Sequence, residues 1–233
     1  MMKYVTFSFD DGIMQDKRMI EILDKYGLKC TFNLNSALLG LKGGWEQNGK
    51  WLSHNKISPL EVKETYVGHE VAVHTLTHPN LTGESDDAVV YQVEEDRKQL
   101  SKLMGYEVCG MAYPCGGVNN DERVAGLIKN HTGVRYARTI TPTYSFELPK
   151  NMYQINPTIF VGETDKLFEL AEKFLNSKSE EPQLFYIWGH SYEFDVQDQM
   201  PWECFEKFCK LISGKEEVFY GTNTQVFSRL KLL

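Results

Sequence analysis

Four short apolar runs in this 233-residue chain end in residues that can do chemistry. "TFSF" leads into Asp10-Asp11-Gly12. "EVAV" leads into His74 and, four positions on, His78. "MAYP" leads into Cys115-Gly116-Gly117, and "LFYIW" into Gly189-His190. Two adjacent carboxylates repel each other, so the Asp10-Asp11 pair asks for a reason. Asp11, His74 and His78 form a plausible metal set: two imidazoles and a carboxylate leave one position open, as in catalytic rather than structural zinc. The H-x-x-x-H spacing puts both rings on one side of a helical turn. Water on such a cation has its pKa lowered toward ~7 and becomes a nucleophile near neutrality. Successive strand residues face opposite ways, so Asp10 points away from the ligand beside it and is free to act as a base. His190, arriving from another strand, suits protonation of a leaving group. Taken singly, each feature has a plainer explanation: a turn, a helix cap, or a histidine satisfied in the core. Their shared position at strand ends carries the reading.

The elements that must hold these residues alternate. Strands are expected at residues 5–9, 31–34, 70–74, 110–113, 133–139, 183–188 and 217–220. Helices are expected at 16–26, 86–104, 120–130, 164–176 and 202–212, the fourth capped by Thr164, with a helical tail at the C-terminus. Ser58-Pro59-Leu60-Glu61 reads as a capping box opening a further helix. Strands alternating with helices imply a parallel sheet. About seven such units in one chain favour barrel-like closure, and the C-terminal strand ends of a barrel line a single mouth. Residues 1–233 are expected to form one domain, with 35–56 a glycine- and tryptophan-containing loop insertion near the site.

Composition bounds the partners. Apolar residues make up 42% and charged residues 24% of the chain, ordinary for a globular protein. A formal charge of −7 argues against a nucleic-acid or anionic-membrane binder, which needs a basic face. No secretory signal and no membrane-length apolar window is visible, and Cys30, Cys109, Cys115, Cys204 and Cys209 show no C-x-x-C. The expectation is reduced thiols and a cytoplasmic location.

The motifs resemble those of the polysaccharide deacetylases, the NodB-homology or carbohydrate esterase family 4 group. "SFDDG" is similar to the first motif of that family, "HTLTH" to its H-[ST]-x-x-H motif, "AYPCG" to its R-x-P-[YFW]-G motif without the arginine, and "YIWGH" to its last motif. The matches keep family order over residues 6–190. The resemblance implies a distorted (β/α) barrel, a divalent metal (most often Zn2+, with Co2+, Ni2+ or Mn2+ fitting the same donors), and hydrolysis of an acetyl group from an acetylated sugar or oligosaccharide. It implies Asp10 as base, Asp11, His74 and His78 as ligands, His190 as acid, and the Cys115 backbone N–H as oxyanion donor.

The departures are specific. Ala112 stands where the family has an arginine that orients the base, and the Asp-Trp motif that braces this arginine is not recognisable. Arg135 or Arg138 on the next strand could replace it. Three apart, they face opposite ways, and Arg138 is favoured as nearer the C-terminal end. His54 and His69 read as surface residues. Glu193 or Asp195 could orient His190, and Trp45, Trp51, Tyr113 and Tyr192 could form a sugar platform. The alternatives are a hydrolase of cyclic amides or ureides on the same barrel and an inert carbohydrate-binding homologue.

Overall fold

The computed structural model describes residues 2–47 and 49–233. In chain order the elements are β1 (Lys3–Asp10), α1 (Asp16–Lys25), β2 (Cys30–Leu34), β3 (Gly44–Gln47), β4 (Lys50–Ser53), α2 (Val62–Thr65), β5 (Glu70–Val73), α3 (Asp86–Met104), β6 (Gly110–Ala112), α4 (Glu122–His131), β7 (Tyr136–Arg138), β8 (Ile159–Phe160), α5 (Thr164–Asn176), β9 (Gln183–Gly189), α6 (Glu193–Val196), α7 (Trp202–Ile212), β10 (Val218–Tyr220) and α8 (Asn223–Arg229). Seven parallel strands run in the order β7-β6-β5-β2-β1-β9-β8. β10 pairs with the first half of β1 (Lys3–Val5), and β2 pairs with the second half (Phe7–Asp10). The sheet curls into a barrel whose last gap, between β7 and β8, is spanned by irregular chain. There Thr139 N donates to Ile155 O (2.8 Å) and Ile155 N to Ala137 O (2.9 Å), which sets Ile155 beside β7. This is the expected distorted α/β barrel.

Alternation along each strand sorts the side chains. In β1, Val5, Phe7 and Phe9 face outward into the main apolar core, and the Phe7 and Phe9 rings meet Phe205 of α7 at 6.4 and 6.2 Å. Thr6, Ser8 and Asp10 face inward. Inside, Thr6 donates to Asn223 (2.9 Å), and Asn33 of β2 donates to Ser8 (2.9 Å) and Asp10 (2.8 Å). A second apolar cluster, including Tyr4, Tyr136, Tyr186, Val226 and Phe227, fills the end of the barrel nearest α8. β1, buried over its full length, therefore carries a polar row up the barrel axis to Asp10.

Several local expectations are corrected. Residues 35–56 are not an irregular loop: β3 and β4 pair as an antiparallel hairpin. The stretch after Ser58 forms only the single-turn α2, whose N-cap is Glu61 with no capping side chain, while the Ser58 hydroxyl caps the Leu60 amide at 3.3 Å instead. α5 is flanked by Glu163, and the buried Thr164 hydroxyl has no partner among the described residues. All five cysteines are free, and among the described residues no helix is long and apolar enough to cross a membrane.

Candidate active site

The C-terminal strand ends open onto a cavity of about 270 Å3 lined by Asp10, Asp11, His74, His78, Cys115 and His190, together with Tyr113, Trp188 and Tyr192. The backbone here is unusual. Asp11 (φ 85°), Thr75 (67°), His78 (63°) and Cys115 (69°) are four of the six described non-glycine residues with positive φ. Each costs on the order of 1–3 kcal/mol, strain that clusters at functional sites. Gly12 (φ 62°) follows Asp11, and a Cβ there would lie 2.5 Å from Leu34 Cδ2, so a larger residue in the turn that aims Asp11 would be strained and would displace the Leu34 side chain.

Asp10 and Asp11 diverge. Asp10 ends β1 facing inward, 2% exposed, and both of its carboxylate oxygens accept from Arg138 Nη2 (2.5 and 2.6 Å). Arg138 is fully buried. Its Nε donates to Ser8 Oγ (3.2 Å), Nη1 to Thr139 O (3.1 Å), and its guanidinium lies over the Trp188 ring at 4.8 Å. Arg135 is exposed. Arg138 pairs in register with Ala112, whose small side chain leaves the barrel interior open to the guanidinium arriving from the next strand. Burial alone would raise the Asp10 pKa, yet the charge and hydrogen bond of Arg138, with the charge of His190, leave it below the usual carboxylate value.

Asp11, His74 and His78 each offer a donor atom within 4.8 Å of the others. The two imidazoles do not share a helical turn: residues 74–79 are irregular, so that expectation fails. The loop is held by Asn35, just past the end of β2, and by a bond of its own. Asn35 Nδ2 donates to the carbonyls of His74 (2.6 Å) and Thr75 (2.9 Å), and Thr75 Oγ1 accepts from His78 N (3.1 Å). The rings still meet, centroids 4.9 Å apart. His74 Nδ1 lies 2.9 Å from Ala112 O and so carries the proton, which leaves the Nε2 lone pair free. Asp96 of α3 accepts from the amides of His74 (3.2 Å) and Ser36 (2.6 Å), tying the ligand strand to the helix layer. Burial pushes His74 down to about 4 and lowers His78 as well, so both rings stay neutral at pH 7. A buried set of two neutral imidazoles and a carboxylate fits a divalent cation.

Two residues in contact with Asp11 were not expected at the site. Lys56, its side chain 7% exposed, reaches Asp11 O (2.7 Å) and Oδ1 (3.2 Å), and His54 Nε2 lies 3.1 Å from Oδ2. His54 is therefore half-buried against the site and not a free surface residue. The residues after β4 lie against the Asp11 turn, with Ile57 N donating to Gly12 O (2.9 Å) and Met14 N to Asn55 O (2.8 Å). Burial would raise the Asp11 pKa, but the His54 hydrogen bond and the Lys56 charge hold it well below the usual range. His69 is also buried rather than exposed, and its Nδ1 accepts from Cys30 N (3.2 Å) behind β2, away from the site. No periodicity in the sequence marks His54 or Lys56, because their burial depends on how the hairpin folds back.

His190, partly buried, stacks on Tyr192 (5.0 Å, 24°), and its Nδ1 lies 3.1 Å from Glu193 Oε1. Burial favours the neutral ring, but the Glu193 hydrogen bond and charge, with Asp11 and Asp10, outweigh it and raise His190 to about 9. Asp195 turns away to accept from Trp202 Nε1 (2.7 Å). Cys115 Sγ lies 3.8 Å from His78 Nδ1, and among the described residues its backbone N–H has no acceptor. Of the four aromatics, Tyr113 and Tyr192 line this cavity. Trp45 touches Tyr192 at 5.3 Å. Trp51 points away, 67% exposed.

Known proteins share this architecture. The chain is 23% identical over 203 residues, 85% of its length, to the peptidoglycan-N-acetylglucosamine deacetylase PgdA of Listeria monocytogenes, and it spans 39% of that protein. It is similar in fold to the Xyl-CE4 domain of a multidomain xylanase from the hindgut metagenome of Trinervitermes trinervoides (TM-score 0.61, 17% identity, 99% and 92% of the two chains). It is also similar to a CE4-family pseudoenzyme from Bacillus anthracis (TM-score 0.55, 18% identity, 96% and 65%), so the fold alone does not carry activity. The profile of the polysaccharide deacetylase family matches residues 2–137, and the chain belongs to that family.

Proposed function

We propose that this chain is a metal-dependent hydrolase that removes acetyl groups from an N- or O-acetylated carbohydrate. The observation that carries the reading is the convergence of Asp10, Asp11, His74, His78, Cys115 and His190 on one cavity at the strand ends. A divalent cation held by Asp11, His74 and His78 would polarise the acetyl carbonyl and acidify a water.

The chain's own groups do the rest. Asp10, kept ionised by Arg138, takes a proton from the attacking water as its oxygen bonds to the acetyl carbon. The unpaired Cys115 N–H donates to the oxyanion, a role worth roughly 2.7–4 kcal/mol that does not depend on the side chain. His190, held protonated by Glu193, delivers a proton to the sugar nitrogen or oxygen as its bond to the acetyl carbon breaks. The products are acetate and a free amine or hydroxyl.

The test is acetate release from a panel of N- and O-acetylated sugars, run with elemental analysis of the purified protein. Chelation should abolish release, and zinc or cobalt should restore it. Full turnover by a metal-free protein, or by Asp10→Asn, would overturn the assignment.

A further inference from the structure

Lys56 puts an ammonium into the wall of the site. Its side chain is buried, and Asp11 is the one carboxylate that it meets among the described residues. The ammonium has three protons and three acceptors: Asp11 O (2.7 Å), Asp11 Oδ1 (3.2 Å) and Asn35 Oδ1 (3.5 Å). The backbone fixes where it sits. Lys56 N donates to Leu41 O (2.9 Å), Ile57 N donates to Gly12 O (2.9 Å), and Lys56 bridges to Ile13, two residues past Asp11. A buried ammonium is costly even when it is paired. Closing the Asp11 turn would take only a neutral donor to Asp11 O, so the positive charge calls for a further reason.

Asp10 is paired with Arg138 and Glu193 with His190, which leaves Asp11 as the cavity carboxylate that could balance a divalent cation. Lys56 already balances it. Resting on the metal-dependent reading, we propose that Lys56 is a positioning residue that acts on the cation through Asp11. It holds the carboxylate in its turn, weakens the chain's grip on the metal, and leaves the metal a stronger Lewis acid. The ammonium draws on the same carboxylate charge that a cation at Asp11, His74 and His78 would use, and at such short range in a buried site that competition is large. With less of its charge neutralised, the cation would polarise the acetyl carbonyl more strongly.

The test compares wild type, Lys56→Gln and Lys56→Met. Each metal-stripped chain is titrated with zinc by calorimetry, and acetate release is then measured at saturating zinc. Loss of the ammonium should tighten zinc binding about tenfold and lower kcat about threefold. A purely structural lysine would move the two readouts together, with weaker binding and slower turnover. Gln keeps a donor for Asp11 O and Met keeps the buried stem, so damage to the turn or to packing in one variant does not hide the charge effect in the other. Where a stripped variant fails to fold, competition of the zinc-loaded chain against a chelator gives the same comparison. Tighter binding with lower kcat in either variant supports the role. Binding unchanged or weaker in both, or tighter binding without a fall in kcat, overturns it. A wild type that binds no zinc overturns the metal reading itself. Zinc binding with no acetate from any acetylated sugar overturns the deacetylase reading, and the affinities alone then decide on Lys56.

Discussion

The two ends of the barrel both bury carboxylates, and they treat them differently. At the end near α8, Glu70 accepts from Tyr136 OH (2.8 Å), Thr31 Oγ1 (2.9 Å), Thr224 Oγ1 (2.5 Å) and Thr224 N (2.9 Å). Those donors are neutral, and both oxygens are saturated. At the mouth, Asp10 and Asp11 are held by charged or ionisable partners, and imidazole lone pairs and a free N–H stand beside them on a cavity. A saturated network can only stabilise, because no group in it has a bond left to offer a ligand. An arrangement that leaves donor atoms facing open space costs stability and keeps chemistry available.

Breaking each end should give opposite readouts. Asp10→Asn should lower kcat by about 10²–10⁴, and, because Arg138 loses its counter-charge, cost up to about 3–5 kcal/mol of stability. Glu70→Gln should cost about 1–3 kcal/mol and leave kcat within about twofold. Thermal melts with steady-state kinetics check both, and a Glu70 variant with normal stability but poor turnover would erase the contrast.

The pH profile sharpens the comparison. Asp10 must be ionised and His190 protonated for the proposed steps. Activity should therefore hold across neutrality and fall as pH rises through about 9, where His190 loses its proton. Glu193→Gln removes the charge that raises His190 and should move that alkaline limb to lower pH by roughly one unit, a tenfold change in proton affinity. An unmoved limb would mean that His190 is not the group that titrates.

A smaller effect concerns Asp16, fully buried, which accepts from Ser191 Oγ (2.6 Å), Tyr66 OH (2.7 Å) and Ile13 N (3.1 Å). Burial, only partly offset by these bonds, raises it to about 7. A raised carboxyl favours the neutral form in the fold, so its contribution to stability falls as pH climbs from its unfolded value near 3.8 toward 7. The stability deficit of Asp16→Asn relative to wild type should therefore shrink over that interval. A deficit that grows instead would show the folded state prefers the ionised form. Smallest of all, Cys115→Ala should change kcat by less than about threefold, because the donor is backbone.

How much was legible depended on how local each cause was. The barrel and the meeting of Asp11, His74 and His78 follow from strand alternation and strand-end placement, which the chain writes plainly. Arg138 was readable because parity lets only one of Arg135 and Arg138 point inward and Arg138 lies nearer the C-terminal end of its strand. The conformation at Thr75 was hidden, since the loop is shaped by Asn35, 40 positions away just past β2. The two-residue β8 carries no period. His54, Lys56 and His69 were misplaced or passed over because their burial comes from contacts 39 to 45 positions away, which composition cannot display.

The central claim is a cation shared by Asp11, His74 and His78 beside an Asp10 that does not ligate it. Calorimetric titration of the metal-stripped chain with zinc addresses it directly. The account predicts one site per chain, lost in His74→Ala and retained in His190→Asn. No binding by the wild-type chain, or unchanged binding by His74→Ala, would contradict it.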